Sequence, residues 1–169
     1  MIIHPDMVRN KKELAKFANK GKVLCIDPAS ISCGYCLIVN GKIKESGGIR
    51  TRHKDIRQRL IEIYSKFKKK FKKVDLLIME SVCNRQTNKS LWWAVAAILM
   101  AIDTDYYTEC HVKSWQKYLD KTTYIKSDEN DAISIAEAFL KEQGVMEHVS
   151  NRIIRTAFRI RKKKRCRVS

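Results

Sequence analysis

Four carboxylates stand where a folded chain rarely leaves charge without a use. Asp27 closes the apolar run Val23-Leu24-Cys25-Ile26, Glu80 closes Leu76-Leu77-Ile78-Met79, and Asp128 and Asp131 open the stretch DENDAISIAEAFLKE. An acid at the tip of a buried strand is expensive to desolvate unless something binds it. Asp128 and Asp131 are three apart and share one face of a helix. If the strands ending in Asp27 and Glu80 are parallel neighbours, their tips lie side by side and the acids repel one another. Divalent cations resolve such a cluster. Hard Mg²⁺ or Mn²⁺ takes carboxylate oxygens, and a pair of ions roughly 3.5–4 Å apart activates a water and steadies the leaving oxygen in phosphodiester hydrolysis. The plainer reading is separate surface acids or, for Asp128, a carboxylate that favours a helix start.

The elements that must position these acids can be read from periodicity. KVLCID, GYCLIVN and KIKESGGIR read as three strands, with Asn40-Gly41 between the last two as a strong hairpin signal. From about Asp55 the spacing turns helical: Leu60, Ile63, Phe67 and Phe71 lie three or four apart, and the other face carries lysines. VDLLIME follows as a fourth strand. A polar loop, SVCNRQTNK, leads to SLWWAVAAILMAI, a helix apolar almost all round and therefore central core or a subunit interface. DYYTECHV reads as a fifth strand and KSWQKYL as a short helical turn. Ser127 is a suitable N-cap for the last helix, whose first acids suit the positive end of its dipole. Three antiparallel strands, helix, strand, helix, strand, helix assemble naturally as a mixed α/β sheet with helices on its faces. Residues 1–20 read as an N-terminal appendage with a short helix, 21–145 as one domain, and 146–169 as a basic C-terminal tail.

Charge narrows the partner. A formal net charge of +17 on 169 residues predicts attraction to a polyanion, with nucleic acid the commonest, while 44% apolar residues suffice for a globular core. No apolar run approaches the ~20 residues of a spanning helix, and the N-terminus lacks a signal-peptide pattern, so a cytoplasmic protein with no membrane partner is expected. Its six cysteines are then reduced thiols. Cys33 and Cys36 form a C-x-x-C, but three apart on a strand they point to opposite faces and do not meet one metal ion. Residues 151–169 contain no acid and suit a nucleic-acid-binding arm, with a solubilising tail as the plainer alternative.

IDPASISCGYCLIVNGKIKESGGIRTR, RLIEIY, LLIMESVCN and SDENDAISIAEAFL, in this order, resemble the RuvC family of Holliday-junction resolvases, particularly its compact phage-type members. The resemblance spans roughly residues 22–142. It implies an RNase H-like fold of the retroviral integrase superfamily, with a mixed five-stranded sheet flanked by helices. It further implies a homodimer and Mg²⁺-dependent nicking of four-way junctions, with Mn²⁺ able to substitute, in the cytoplasm of a host cell for a phage-encoded member. Asp27, Glu80, Asp128 and Asp131 fall on the family's four catalytic, metal-binding acids. Lys113, in HVKSW, matches a basic residue near the scissile phosphate, where a cation stabilises transition-state charge. Asn84, Arg85, Asn88, Lys89 and Ser90 in the loop after Glu80, and Lys117, Lys121 and Lys126, are the expected DNA contacts. Bacterial relatives place a base-stacking aromatic in that loop; here the position is Cys83, which stacks poorly. That leaves two readings of the substrate open, a true resolvase or a broader enzyme that also acts on forks and flaps. A DNA-binding protein without catalysis is the alternative, although all four acids are present. An actin-like ATPase is disfavoured, because Pro28-Ala29 replaces its phosphate-loop glycine.

Overall fold

The computed structural model describes residues 6–7, 10–81, 89–119 and 124–145. Strands β2 (Lys22–Asp27), β3 (Ser32–Val39) and β4 (Lys42–Arg50) form the antiparallel meander. Its tight turn is Asn40-Gly41, with φ of 50° and 73°. Two successive positive φ values are what a two-residue hairpin of matching twist requires, and Asn followed by Gly tolerates them best. Strands β5 (Leu76–Glu80) and β6 (Tyr106–Cys110) then add in parallel beyond β2.

A short strand β1 (Asp6–Met7) pairs in parallel with β6, so the sheet order is β1-β6-β5-β2-β3-β4. The five strands expected from the sequence are all present, and β1 is an addition that two residues could not announce. The N-terminal segment is also more than an appendage. Helix α1 (Lys11–Lys20) buries Ala18 completely and packs Leu14 and Phe17 against the core. Its start is set by Asn10, whose side chain accepts a hydrogen bond from the Lys12 amide at 3.0 Å.

The pleat sends alternate residues to two apolar layers. Val23, Cys25, Cys36, Leu76 and Ile78 face helix α5 (Asp128–Glu142), which contributes Ala132, Ile135, Ala136 and Phe139. Leu24, Ile26, Cys33, Leu77 and Met79 face helices α2 (Ile56–Lys70) and α3 (Lys89–Ala101), which contribute Ile63, Phe67, Ala94 and Ile98. Cys33 and Cys36 therefore lie in different layers, and the strand reading that excluded a shared ion holds. Helix α3 buries one stripe only: Trp92 is 43% exposed, Trp93 51% and Met100 63%. Among the described residues no helix is long and apolar enough to cross a membrane.

Candidate functional site

Parallel pairing of β2 with β5 runs in register from Val23 opposite Leu76 to Ile26 opposite Met79. The next residue on each strand is an acid, so Asp27 and Glu80 finish side by side. Their carboxyl groups share a hydrogen bond. Such a bond needs a proton between the two groups, and Glu80 is only 7% exposed. Burial, then the facing Glu80 and the charges of Asp131 and Asp128, push Asp27 up from the usual 3.8 to about 8. The other three acids predicted from the sequence thus all act on Asp27.

Helix α5 delivers the second pair. Ser127 caps it, its hydroxyl accepting from the Asn130 amide at 3.1 Å, and the Asn130 side chain donates to the Ile125 carbonyl at 2.6 Å. The first turn rests directly on β3 at Gly34, the cross-strand partner of Asp27. A Cβ at Gly34 would lie 1.6 Å from the Asp128 carbonyl oxygen, so no other residue permits this approach. Ser46 on β4 adds a tether, donating to Glu129 Oε1 at 2.7 Å. Gly34 and Ser46 were not singled out from the sequence. The signal was available only for Gly34, because a glycine inside a strand marks close backbone approach.

Asp131 is pushed up to about 6, by burial first and by Glu80 second. Its Oδ1 is buried with no hydrogen-bond partner among the described residues. A buried carboxylate oxygen with no donor, beside two acids that must share a proton, is a site short of positive charge. Hard oxygen donors of this kind fit Mg²⁺ or Mn²⁺. Among the described residues no three acidic, cysteine or histidine side chains are placed closely enough to hold a metal ion together. The fit therefore rests on donor chemistry and charge.

The other predicted positions are placed less closely. Lys113 is exposed on the short helix α4 (Val112–Gln116), which follows β6, and no contact joins it to the acids among the described residues. Lys117 pairs with Glu142 at 3.1 Å and lies over the Tyr118 ring at 4.7 Å. Lys126 is exposed one residue before the α5 cap, and Lys89 and Ser90 open α3. Asn84, Arg85, Asn88, Lys121 and Cys83 lie outside the described residues, as does the tail from residue 146.

No protein-family model and no curated protein matches this chain. Solved structures do. The RuvC protein of T. thermophilus in complex with Holliday junction substrate aligns with a TM-score of 0.56 and 15% identity, over 73% of this chain and 96% of that one. A second structure of Thermus thermophilus RuvC aligns with a TM-score of 0.55 and 16% identity, over 73% and 97%. The chain has the RNase H-like fold of those proteins. At this identity the likeness concerns the fold, and chemistry has to be argued from the side chains.

Proposed function

We propose that this protein is a metal-dependent, structure-selective DNA endonuclease that nicks four-way junctions and other branched DNA. The observation that carries the reading is the meeting of Asp27, Glu80, Asp128 and Asp131 at one end of a RuvC-like sheet, in a chain of net charge +17. A strongly basic protein with one buried acidic pocket separates two tasks. Its surface attracts the phosphate backbone, and its pocket collects cations.

Asp27, which feels all three other acids, is the shared ligand in this reading. Glu80 and Asp131 would help to hold the ions, and Asp128 would complete the set or orient the attacking water. Bound Mg²⁺ or Mn²⁺ would supply an activated water and neutralise charge at the scissile phosphate. Asp27 gives up its proton when the site is loaded, because a carboxylate ligates only when deprotonated. Lys113 stabilises the charge that builds on the phosphate in the transition state.

Two opposed strands require two active sites related by a two-fold axis, so the working unit is an isologous dimer. The exposed Trp92, Trp93 and Met100 of α3 supply its apolar face. Large exposed aromatics clustered on one element mark a contact surface.

The test is cleavage of an end-labelled four-way junction beside a matched linear duplex and a fork, with Mg²⁺, with Mn²⁺ and with EDTA. Paired, metal-dependent nicks in the junction support a resolvase. Cutting of the fork as well supports a broader debranching nuclease. Tight binding with no cutting under any condition refutes catalysis and leaves a DNA-binding role.

A further inference from the structure

A second feature lies on the other side of the sheet edge from the acids. The exposed edge of β4 and the C-terminal half of α2 enclose a groove of about 500 Å³ lined by Gly48, Ile49, Arg50, Lys66, Lys69 and Lys70. Strand β4 ends the sheet order, so its outer backbone groups have no strand to pair with among the described residues. The direction of those groups follows from two bonds. The Thr51 amide donates inward, to the Ile31 carbonyl at 2.8 Å, whereas Lys66 Nζ reaches the Arg50 carbonyl from outside at 2.7 Å. Alternate residues of a strand present their amides to alternate sides. Gly48 and Arg50 therefore aim their N–H groups into the groove.

Gly48 is not demanded by the fold. A Cβ there would meet nothing nearer than the Cys33 carbonyl at 3.9 Å, and its backbone is not in the left-handed region. What its missing side chain does is leave the strand edge bare for close approach. The lysines line that bare edge, and two of them have partners. Lys70 lies 5.0 Å from the Tyr35 ring centroid and pairs with Glu45, and Lys66 pairs with Glu62 at 2.5 Å. Four cations face two carboxylates, so the groove keeps a positive surplus. Exposed ion pairs of this kind are weak and exchange readily for a phosphate. Outward amides, a bare glycine and clustered cations form an anion site.

Its place is related to the acids. Asp27, Gly34 and Gly48 form one cross-strand row, which puts the Gly48 backbone two strand spacings, about 10 Å, from that of Asp27, while the lysines rise from the opposite, α2-covered face of the sheet. At about 3.4 Å of axial rise per nucleotide, a duplex that passes the β4 edge therefore presents a phosphate to the lysines at least roughly three steps from the one at the acids. We propose that the groove between the β4 edge and α2 binds a backbone phosphate of the same DNA whose scissile phosphate lies at the carboxylates. The inference deepens the nuclease reading and rests on it for the identity of the polyanion. The plainer role for the lysines, complementing the C-terminal dipole of α2, predicts an effect on stability alone.

The experiment uses the full chain and a fluorescent four-way junction, with binding followed by anisotropy in EDTA across a salt series. The double variant Lys66→Gln/Lys69→Gln is compared with Lys16→Gln/Lys20→Gln, which removes equal charge from α1 near the start of β2. The groove variant should bind about tenfold more weakly at low salt, and its log–log salt slope should fall by about 1.8, or about 0.9 for each phosphate that the lysines cease to neutralise. The control should change less than about twofold, and Lys66→Arg/Lys69→Arg should restore binding. Equal losses in both glutamine variants, an unchanged slope, or lost thermal stability with unchanged binding overturns the groove. Metal-dependent cutting by the wild type is scored separately. Groove-dependent binding without cutting sinks the nuclease reading alone, and cutting with an unchanged slope sinks the groove alone.

Discussion

Asp27→Asn should stabilise the metal-free protein while destroying the site. In the folded chain Asp27 sits near a pKa of about 8, against the usual 3.8. The native state therefore holds a proton that the unfolded chain releases. Stability from this group is fully present below pH 3.8 and is lost as pH rises toward 8, with a limiting slope of about 1.4 kcal/mol per pH unit. Asparagine removes that dependence, because its amide donates to Glu80 where a proton must now be held. Solvent at the open side of the site screens part of the repulsion, so the expected gain at pH 8 is on the order of 1–3 kcal/mol. For a domain of this size that is roughly 2–10 °C in Tm. Thermal melts followed by circular dichroism in EDTA at pH 5.5, 7 and 8.5 should show the variant above the wild type, with the gap widening as pH rises. Adding Mg²⁺ should raise the Tm of the wild type and leave the variant almost unchanged. A variant less stable than the wild type at pH 8.5 in EDTA would refute the reasoning, since the Asp27–Glu80 pair would then be a net structural bond. The same variant should lose cleavage and keep junction binding.

The remaining expectations follow from neighbouring parts of the molecule. Because metal must displace the Asp27 proton, the Mg²⁺ concentration for half-maximal cleavage should fall as pH rises from 6 to 8.5; a flat titration would remove Asp27 from the ligand set. Gly34→Ala drives a methyl into the Asp128 carbonyl and should cost about 1–3 kcal/mol in denaturant melts, with cleavage falling at least tenfold even where the protein stays folded. Trp93→Glu should convert a dimer to a monomer in sedimentation velocity and leave a folded chain, because the side chain is half exposed. Deleting residues 151–169 should flatten the salt dependence of DNA binding, and an unaltered slope would show that the tail does not touch phosphates.

Sequence alone determined what short-range geometry controls. Alternation and helical spacing located the elements, Asn40-Gly41 located the hairpin, Ser127 located the start of α5, and two apolar runs ending in acids pointed to the site. Each of these depends on residues a few positions apart, where backbone preference and the side-chain period leave little choice. Tertiary structure decided what depends on register and close approach. The adjacency of Asp27 and Glu80 needed the parallel pairing of β2 with β5, which the sequence allowed as a condition only. The seat of α5 on Gly34 joins residues far apart in the chain. The burial of Ala18 brought α1 into the core, and the exposure of both Trp92 and Trp93 left α3 with an open face. The groove is of the same kind: Arg50 lies well before the α2 lysines in the chain, and only the free edge of β4 puts them around one space. Packing a sheet between two helical layers selects a single register for all of its strands at once, and no local stretch carries that choice.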